Sequence, residues 1–278
     1  MLNRAIKNTP LSWDFIFTMN IFKRARIRYI LHRHAIAHGL WAEVTEKLVV
    51  LQGMTAVEKA HLRELTTLFL HEKRFVGVQG LQLTDAMCLM IATQASLPVL
   101  RLGIGCLSGW IDIIVYPSAF RTSRDEIDMA GVVHHQERAL IGESWSRGPL
   151  ILSWEDVERD SQEKQPSRNV VIHEIAHKLD MLNGSADGFP PLHYRMASTE
   201  WSHTLSSAYE NLVRRVEHHH RVCINPYAAT SPAEFFAVIS EYFFCAPEIL
   251  QSHFADVYRQ LELYYQQDPL LRSYLDSD

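Results

Sequence analysis

The sequence predicts an α+β protein with a small sheet in its first part and a mostly helical C-terminal half. Three short apolar runs with strand character all lie before residue 160: FVGVQG, WIDIIVYPSAF and GPLILSWEDV. Apolar residues at helical spacing, preceded by capping signals, fill much of the remaining chain. With 278 residues, of which 47% are hydrophobic, the chain can enclose a sizeable core.

The first helices are located by their capping residues. Thr55 and Glu58 form the pattern of a capping box, and leucines that follow at helical spacing predict a helix up to about Lys73. Thr84 can cap a second helix, which we expect to stop at Leu97-Pro98 because the residue before a proline is disfavoured in the helical conformation.

A third helix is predicted in VVIHEIAHKLD, residues 170–180. It can begin at Ser167 or Asn169, both good capping residues, and end at Asn183-Gly184, where glycine suits the left-handed position after a helix. Further helices are expected from about Thr199 to His219, within INPYAATSPAEFFAVISEYFF, and within HFADVYRQLELYYQQ.

The first 50 residues differ in composition from the rest of the chain. Up to Arg33 they carry seven lysines and arginines against a single acidic residue, Asp14, with aromatic residues interleaved. Such a segment can lie on a membrane surface or bind a partner, but a docked or poorly ordered extension is the simpler expectation. We therefore divide the sequence into a basic and aromatic extension, residues 1–50, and a domain spanning residues 51–278.

The overall composition excludes several classes of protein. A net charge of −5 does not indicate a general nucleic-acid binder. Four cysteines without a C-x-x-C pair indicate reduced thiols rather than a disulfide framework. No apolar run reaches the ~18 residues of a membrane span, and the basic cluster KRARIR follows the N-terminal apolar stretch instead of preceding it. We expect no transmembrane segment, no export and a cytoplasmic location.

The helix at 170–180 carries the spacing H-E-x-x-H, which is typical of a metal site. Residues four apart share one face of a helix, so His173 and His177 can present ring nitrogens to the same point. Glu174 is rotated by ~100° from His173, which places its carboxylate where it could act as a general base on a metal-bound water. Zn²⁺ with three protein ligands lowers the pKa of such a water to about 7, so this chemistry requires a third ligand.

The residues alone leave the third ligand open. Asp180 and Asn183 occupy the positions where a metzincin would have glycine and histidine, which excludes that subclass. Glu234 and Glu241 are both candidates, since they lie seven residues apart on one face of the later helix. Glu234 also has a structural interpretation, because with Ser231 it forms the pattern of a second capping box.

The two segments HEIAHKLDMLNG and NPYAATSPAEFFAVISEYFF, with GPLILSW and YYQQDPL, resemble the Mlc titration factor A family of bacterial proteins. The resemblance extends from about residue 55 to about residue 270. It implies a zincin-like, gluzincin-type zinc metallopeptidase, whose catalytic core is related to that of thermolysin and more closely to that of the anthrax lethal factor.

The resemblance also implies roles for particular residues. One Zn²⁺ per chain would be held by His173, His177 and Glu234, with Glu174 as the base. Tyr227 would donate to the oxyanion of the tetrahedral intermediate. Two further acidic residues are candidates for hydrogen bonds to the ligand imidazoles from behind: Asp180 and Glu241.

At the level of function, the resemblance implies an aminopeptidase-like zinc peptidase. Its partners would be peptide substrates and the glucose-responsive transcription repressor Mlc, whose binding would regulate the glucose phosphotransferase system. Two alternatives stay open: a non-catalytic protein that titrates the repressor and keeps its zinc site, and a helical protein whose zinc is purely structural. For the peptidase, the strand GPLILSW is a candidate edge for binding an extended peptide.

Overall fold

The structure, a computed structural model, describes residues 21–118, 148–162 and 167–275. Its helices are α1 (Ile21–Arg33), α2 (His38–Thr45), α3 (Ala56–Glu72), α4 (Asp85–Ser96), α5 (Trp154–Gln162), α6 (Val170–Asp180), α7 (Ser198–Glu217), α8 (Pro232–Cys245), α9 (Pro247–His253), α10 (Ala255–Tyr265) and α11 (Pro269–Leu275). The strands are β1 (Arg74–Gly77), β2 (Asp112–Tyr116) and β3 (Leu150–Ser153). The predicted α+β class, with a small sheet and a mostly helical C-terminal half, is confirmed.

The three strands form one parallel sheet in the order β1-β2-β3. Phe75 lies opposite Ile113, and Ile113 lies opposite Leu150, so the three strands are in register across the sheet. A parallel pair needs a crossover connection, and α4 lies in the segment that joins β1 to β2. Ile113 and Val115 alternate with partly exposed residues along β2, so one face of the sheet is covered by the helices.

Helices α6 and α8 pack against each other in the interior. Every residue of α8 from Ala233 to Phe244 is buried, which fits a helix that is apolar nearly all the way round. In α6 every residue is buried except Glu174. This single half-exposed position marks the side of α6 that solvent can reach.

The predicted caps place most helices correctly. Thr55 and Glu58 form the expected capping box at the start of α3, and the Thr84 hydroxyl accepts a hydrogen bond from the backbone N–H of Met87 at the start of α4. Of the two possible starts of α6, the structure selects Asn169, whose side-chain oxygen accepts from the N–H of Ile172.

The strand predicted in GPLILSWEDV is shorter than expected. It ends at Ser153, and α5 begins at Trp154. The Ser153 hydroxyl accepts a hydrogen bond from the backbone N–H of Asp156, as a capping side chain does, so the second half of the run is helical.

Residues 41–48, which precede the predicted boundary, share the core of the domain. Trp41, Val44 and Leu48 are buried in the same cluster as the apolar residues of α6 and α8. The predicted boundary after residue 50 therefore does not coincide with a break in the packing, while residues 1–20 of that segment lie outside the described residues. In the part of the chain that is described, no helix is both long enough and apolar enough to cross a membrane.

Candidate metal centre

The packing of α6 against α8 brings His173, His177 and Glu234 together. Oε2 of Glu234 lies 3.1 Å from Nε2 of His173 and 3.2 Å from Nε2 of His177. The two Nε2 atoms are themselves 3.2 Å apart, so the three atoms form a nearly equilateral triangle. All three side chains are buried, with exposed fractions of 2%, 7% and 1%.

The cap of each helix sets the position of these side chains. Asn169 fixes the first turn of α6, and the rings of His173 and His177 then meet edge to face, with centroids 4.8 Å apart. At the start of α8 the Ser231 hydroxyl accepts a hydrogen bond from the backbone N–H of Glu234, at 3.2 Å. The capping interpretation of Glu234 therefore holds for its backbone, while its carboxylate contacts the two histidines.

Glu241 contacts the opposite side of the His173 ring. Its Oε1 lies 2.7 Å from Nδ1 of His173, and its Oε2 accepts a hydrogen bond of 2.6 Å from the backbone N–H of Asn169. An ionised carboxylate can only accept, so Nδ1 of His173 carries the proton of this hydrogen bond. In the neutral ring, Nε2 then presents its lone pair toward His177 and Glu234.

This arrangement attracts positive charge. Burial lowers the pKa of His173, but its hydrogen bonds to Glu234 and Glu241 outweigh burial and raise the pKa to about 10. Burial raises the pKa of Glu234, but the two histidines hold that pKa well below its ordinary value. Three acceptor atoms that face one point repel each other unless a proton or a metal ion lies between them.

The three side chains fit a metal ion. Two imidazole nitrogens and one carboxylate oxygen are a common donor set for divalent transition metals. Ligands bonded at 2.0–2.1 Å to a tetrahedral ion lie about 3.3 Å from one another. The observed separations of 3.1 to 3.2 Å come close to this value without any rearrangement of the helices.

Two other predicted residues lie beside this triangle. Glu174 follows His173 on α6 and has access to solvent, whereas both of its neighbours are buried. Tyr227 lies in a short 3-10 segment, Pro226–Ala229, and its ring centroid is 6.3 Å from that of His173. The Asn225 side chain holds this segment by accepting a hydrogen bond from the backbone N–H of Tyr227.

Asp180 has a different role from the one predicted. Its Oδ2 accepts a hydrogen bond of 2.8 Å from the backbone N–H of Gly188, and its Oδ1 has no hydrogen-bond partner among the described residues. A hydrogen bond from a ligand imidazole is therefore not formed. Asp180 is the last residue of α6, and its carboxylate contacts the loop between α6 and α7. Burial raises the pKa of Asp180 to about 6, although the nearby charge of His177 opposes this increase.

Sequence reasoning missed the contribution of Gly188. This residue has a φ of +78°, and a Cβ on it would lie 2.6 Å from the backbone oxygen of Pro232. The loop after α6 therefore passes directly against the first turn of α8, two residues before Glu234. Only a glycine allows both this conformation and this close approach. An isolated glycine in the loop gave too weak a signal to identify this contact.

Comparisons with known proteins agree with the geometry. Residues 21–266 match the model of a family described as glucose-regulated metallo-peptidase M90. A protein of Cronobacter sakazakii named Mlc titration factor A is 39% identical over 244 residues, which cover 87% of this chain and 91% of the relative. Proteins of the same name from Yersinia pestis and Yersinia pseudotuberculosis are also 39% identical, over 84% of this chain and 86% of each relative.

Gly188→Ala is expected to destabilise the protein and to weaken metal binding, because the added methyl group pushes the loop away from Pro232 at the start of α8. Gly80→Ala is a matched control, since Gly80 has a similar φ of +83° but open space around its Cβ position. In both variants, strain in the backbone should lower the free energy of unfolding by about 1 kcal/mol or more. Only Gly188→Ala should also lose zinc affinity, measured by chelator competition; equal affinity in the two variants would contradict this role.

Proposed function

The chain belongs to the glucose-regulated metallo-peptidase M90 family, and from this membership we propose that it is a zinc-dependent peptidase. The observation that supports the proposal most directly is the convergence of His173, His177 and Glu234 on one point. These residues would hold one Zn²⁺ per chain. Glu174, the one residue of α6 that is not buried, would face the bound substrate.

An open catalytic site fits better than a closed structural one. Structural zinc sites are usually closed by four protein ligands, whereas catalytic sites use three and leave a position for water or substrate. Within the described residues, the cluster contains three potential ligands. Glu174 beside this cluster supplies the base that hydrolysis needs and that a structural site does not.

The residues around the metal would divide the reaction among them. When bound, Zn²⁺ would polarise the scissile carbonyl and lower the pKa of a coordinated water to about 7. Glu174 would accept the proton of the attacking water and pass it to the leaving amine. The Tyr227 hydroxyl would donate a hydrogen bond to the oxyanion that develops on the scissile carbonyl. Glu241 would keep the His173 ring in the orientation that points Nε2 at the metal.

An extended peptide would bind along β3. Among the described strands, β3 pairs with β2 on one side only, so its other edge can form backbone hydrogen bonds with a substrate. We propose an aminopeptidase-like preference, which the family resemblance suggests. This preference can be tested by comparing peptides with a free α-amino group against the same peptides after N-acetylation. An aminopeptidase cleaves only the free form, whereas equal cleavage would indicate an endopeptidase.

A second role follows from the relatives named Mlc titration factor A. We propose that this chain also binds the repressor Mlc, in the cytoplasm, and in this way regulates the glucose phosphotransferase system. Repressor binding need not involve hydrolysis. A protein that titrates Mlc without catalysis, while keeping its zinc site, is therefore the alternative.

Zinc content should distinguish the two glutamates of α8. We expect purified wild-type protein to contain close to one zinc per chain and Glu234→Ala to lose it, because only two ligands remain. Glu241→Ala should retain zinc at saturating concentration but bind it about 10 to 100 times more weakly, since Glu241 acts through His173. Elemental analysis and chelator competition give both quantities. Zinc-free wild type, or full retention in folded Glu234→Ala, would contradict the proposed site.

Glu174→Gln should separate catalysis from binding. Without a carboxylate to accept the proton, hydrolysis of a peptide substrate should fall by at least about 100-fold. Zinc content and binding to purified Mlc, measured by titration calorimetry, should match wild type. Glu158→Gln on α5 is a control for the loss of an exposed carboxylate. Loss of Mlc binding together with hydrolysis in Glu174→Gln would show that the two roles are not separable.

As the pH rises, the stability of the metal-free protein should fall, whereas the stabilisation that zinc adds should increase. Glu234 and Glu241 raise the pKa of His173 to about 10 in the metal-free fold, against the effect of burial. Stability from the protonated ring is thus complete below the unfolded pKa of about 6.5 and is lost as the pH rises toward 10. Zinc competes with this proton, so the gain in melting temperature on adding zinc should increase from about pH 6 to about pH 8. A gain that decreases over this range would contradict the proposal, and Glu234→Ala should show none.

A further inference from the structure

A chain of buried hydrogen bonds leads from the candidate metal centre to α4, a helix that carries none of the three potential ligands. Gln94 on α4 is fully buried, and its Oε1 accepts a hydrogen bond of 2.6 Å from Nδ2 of Asn169. Its Nε2 donates to the Ser161 hydroxyl at 3.0 Å and to the backbone oxygen of Met90 at 3.3 Å. Asn169 connects this chain to Glu241, and Glu241 connects it to His173.

Each hydrogen bond in this chain can run in only one direction. Oδ1 of Asn169 accepts from the backbone N–H of Ile172, so Nδ2 must be the group that faces Gln94. Gln94 must then turn its oxygen toward Asn169 and its amide nitrogen toward Ser161. The Ser161 hydroxyl donates its own proton to the backbone oxygen of Val157 and is free to accept. Reversing either amide would place like groups against each other inside the protein.

Asn169 connects this fixed set of hydrogen bonds to the metal centre through its backbone N–H. Its N–H donates to Oε2 of Glu241, while Oε1 of Glu241 accepts from Nδ1 of His173. Each carboxylate oxygen therefore has one fixed donor, and the plane of the carboxylate follows from where residue 169 lies. A displaced Asn169 would turn Glu241, and a turned Glu241 would rotate the His173 ring away from Glu234 and His177.

We propose that Gln94 and Asn169 are positioning residues of the metal centre. Gln94 holds the Asn169 amide, Asn169 holds Glu241, and Glu241 holds His173 with Nε2 facing the metal. Neither residue contacts the reacting atoms. This inference rests on the zinc site proposed above and adds two residues, on α4 and at the start of α6, that determine how tightly the site binds zinc.

The test is the zinc affinity of the full-length chain with Gln94→Met, which keeps the length of the side chain but removes both of its hydrogen-bonding groups. We expect affinity to fall by about 10-fold, the low end of the range expected for Glu241→Ala, because Gln94 acts on His173 only through Asn169 and Glu241. Asn169→Ser is the second variant. Serine caps a helix as well as asparagine does, so it preserves the start of α6 but loses the bond to Gln94. The double variant should lose no more zinc affinity than the single variant with the larger loss, because both substitutions break the same hydrogen bond.

Thr93→Val is the matched control for a buried polar group on the same helix. The Thr93 hydroxyl donates to the backbone oxygen of Leu89 and takes no part in the chain of hydrogen bonds. Thr93→Val should lower the melting temperature of the metal-free protein but leave zinc affinity within about twofold of wild type.

Two results would overturn the inference while leaving the zinc site intact. One is wild-type zinc affinity in Gln94→Met or Asn169→Ser; the other is an equal loss of affinity in Thr93→Val, which would indicate a general effect of destabilisation. Failure of wild-type protein to bind zinc would instead reject the proposed site itself. If Gln94→Met does not fold, Asn169→Ser and its control decide the question.

Discussion

The structure depends on the contact between α6 and α8, where two imidazoles and a carboxylate face one another inside the core. Burying such groups is unfavourable unless each finds a partner, and here the partners lie on two different helices. The surrounding residues of α8 are apolar and fully buried, so they hold the helices close enough for these contacts. The apolar packing therefore sets the distance between α6 and α8, and the polar groups of the cluster form their contacts at that distance.

A second layer of hydrogen bonds fixes the orientation of the side chains in this cluster. Glu241 determines which nitrogen of His173 carries a proton, and Asn169 and Gln94 determine how Glu241 is oriented. At the next residue along α6, Asp160 accepts a hydrogen bond from the backbone N–H of Val170 and pairs with Arg159. The start of α6 is thus held by side chains from both α4 and α5, which limits movement of the histidines one turn later.

The arrangement separates a rigid site from an accessible one. The side-chain atoms that would bind the metal lie within a buried and hydrogen-bonded interior, whereas Glu174 and Tyr227 are only partly buried. This is what a hydrolytic site requires, because ligands must keep their geometry while a base and a hydrogen-bond donor meet the substrate. The proposed binding of Mlc makes no such demand on Glu174. A single chain could therefore combine the proposed zinc site with a separate surface that binds a partner.

The sequence by itself determined the local features of this protein. Capping patterns placed Thr55, Thr84 and Ser231 at helix starts, and the four-residue spacing put His173 and His177 on one face, because these features depend only on neighbours along the chain. The spacing could not decide between Glu234 and Glu241, which lie two turns, about 10.5 Å, apart on one face of α8. The tertiary structure uses both, Glu234 at Nε2 and Glu241 at Nδ1 of the same ring. That outcome depends on how α8 crosses α6, as do the contacts of Asp180 with Gly188 and of Asn169 with Gln94. Each of these contacts joins residues on different elements or on a helix and a loop. A local sequence pattern cannot predict where two packed elements will meet.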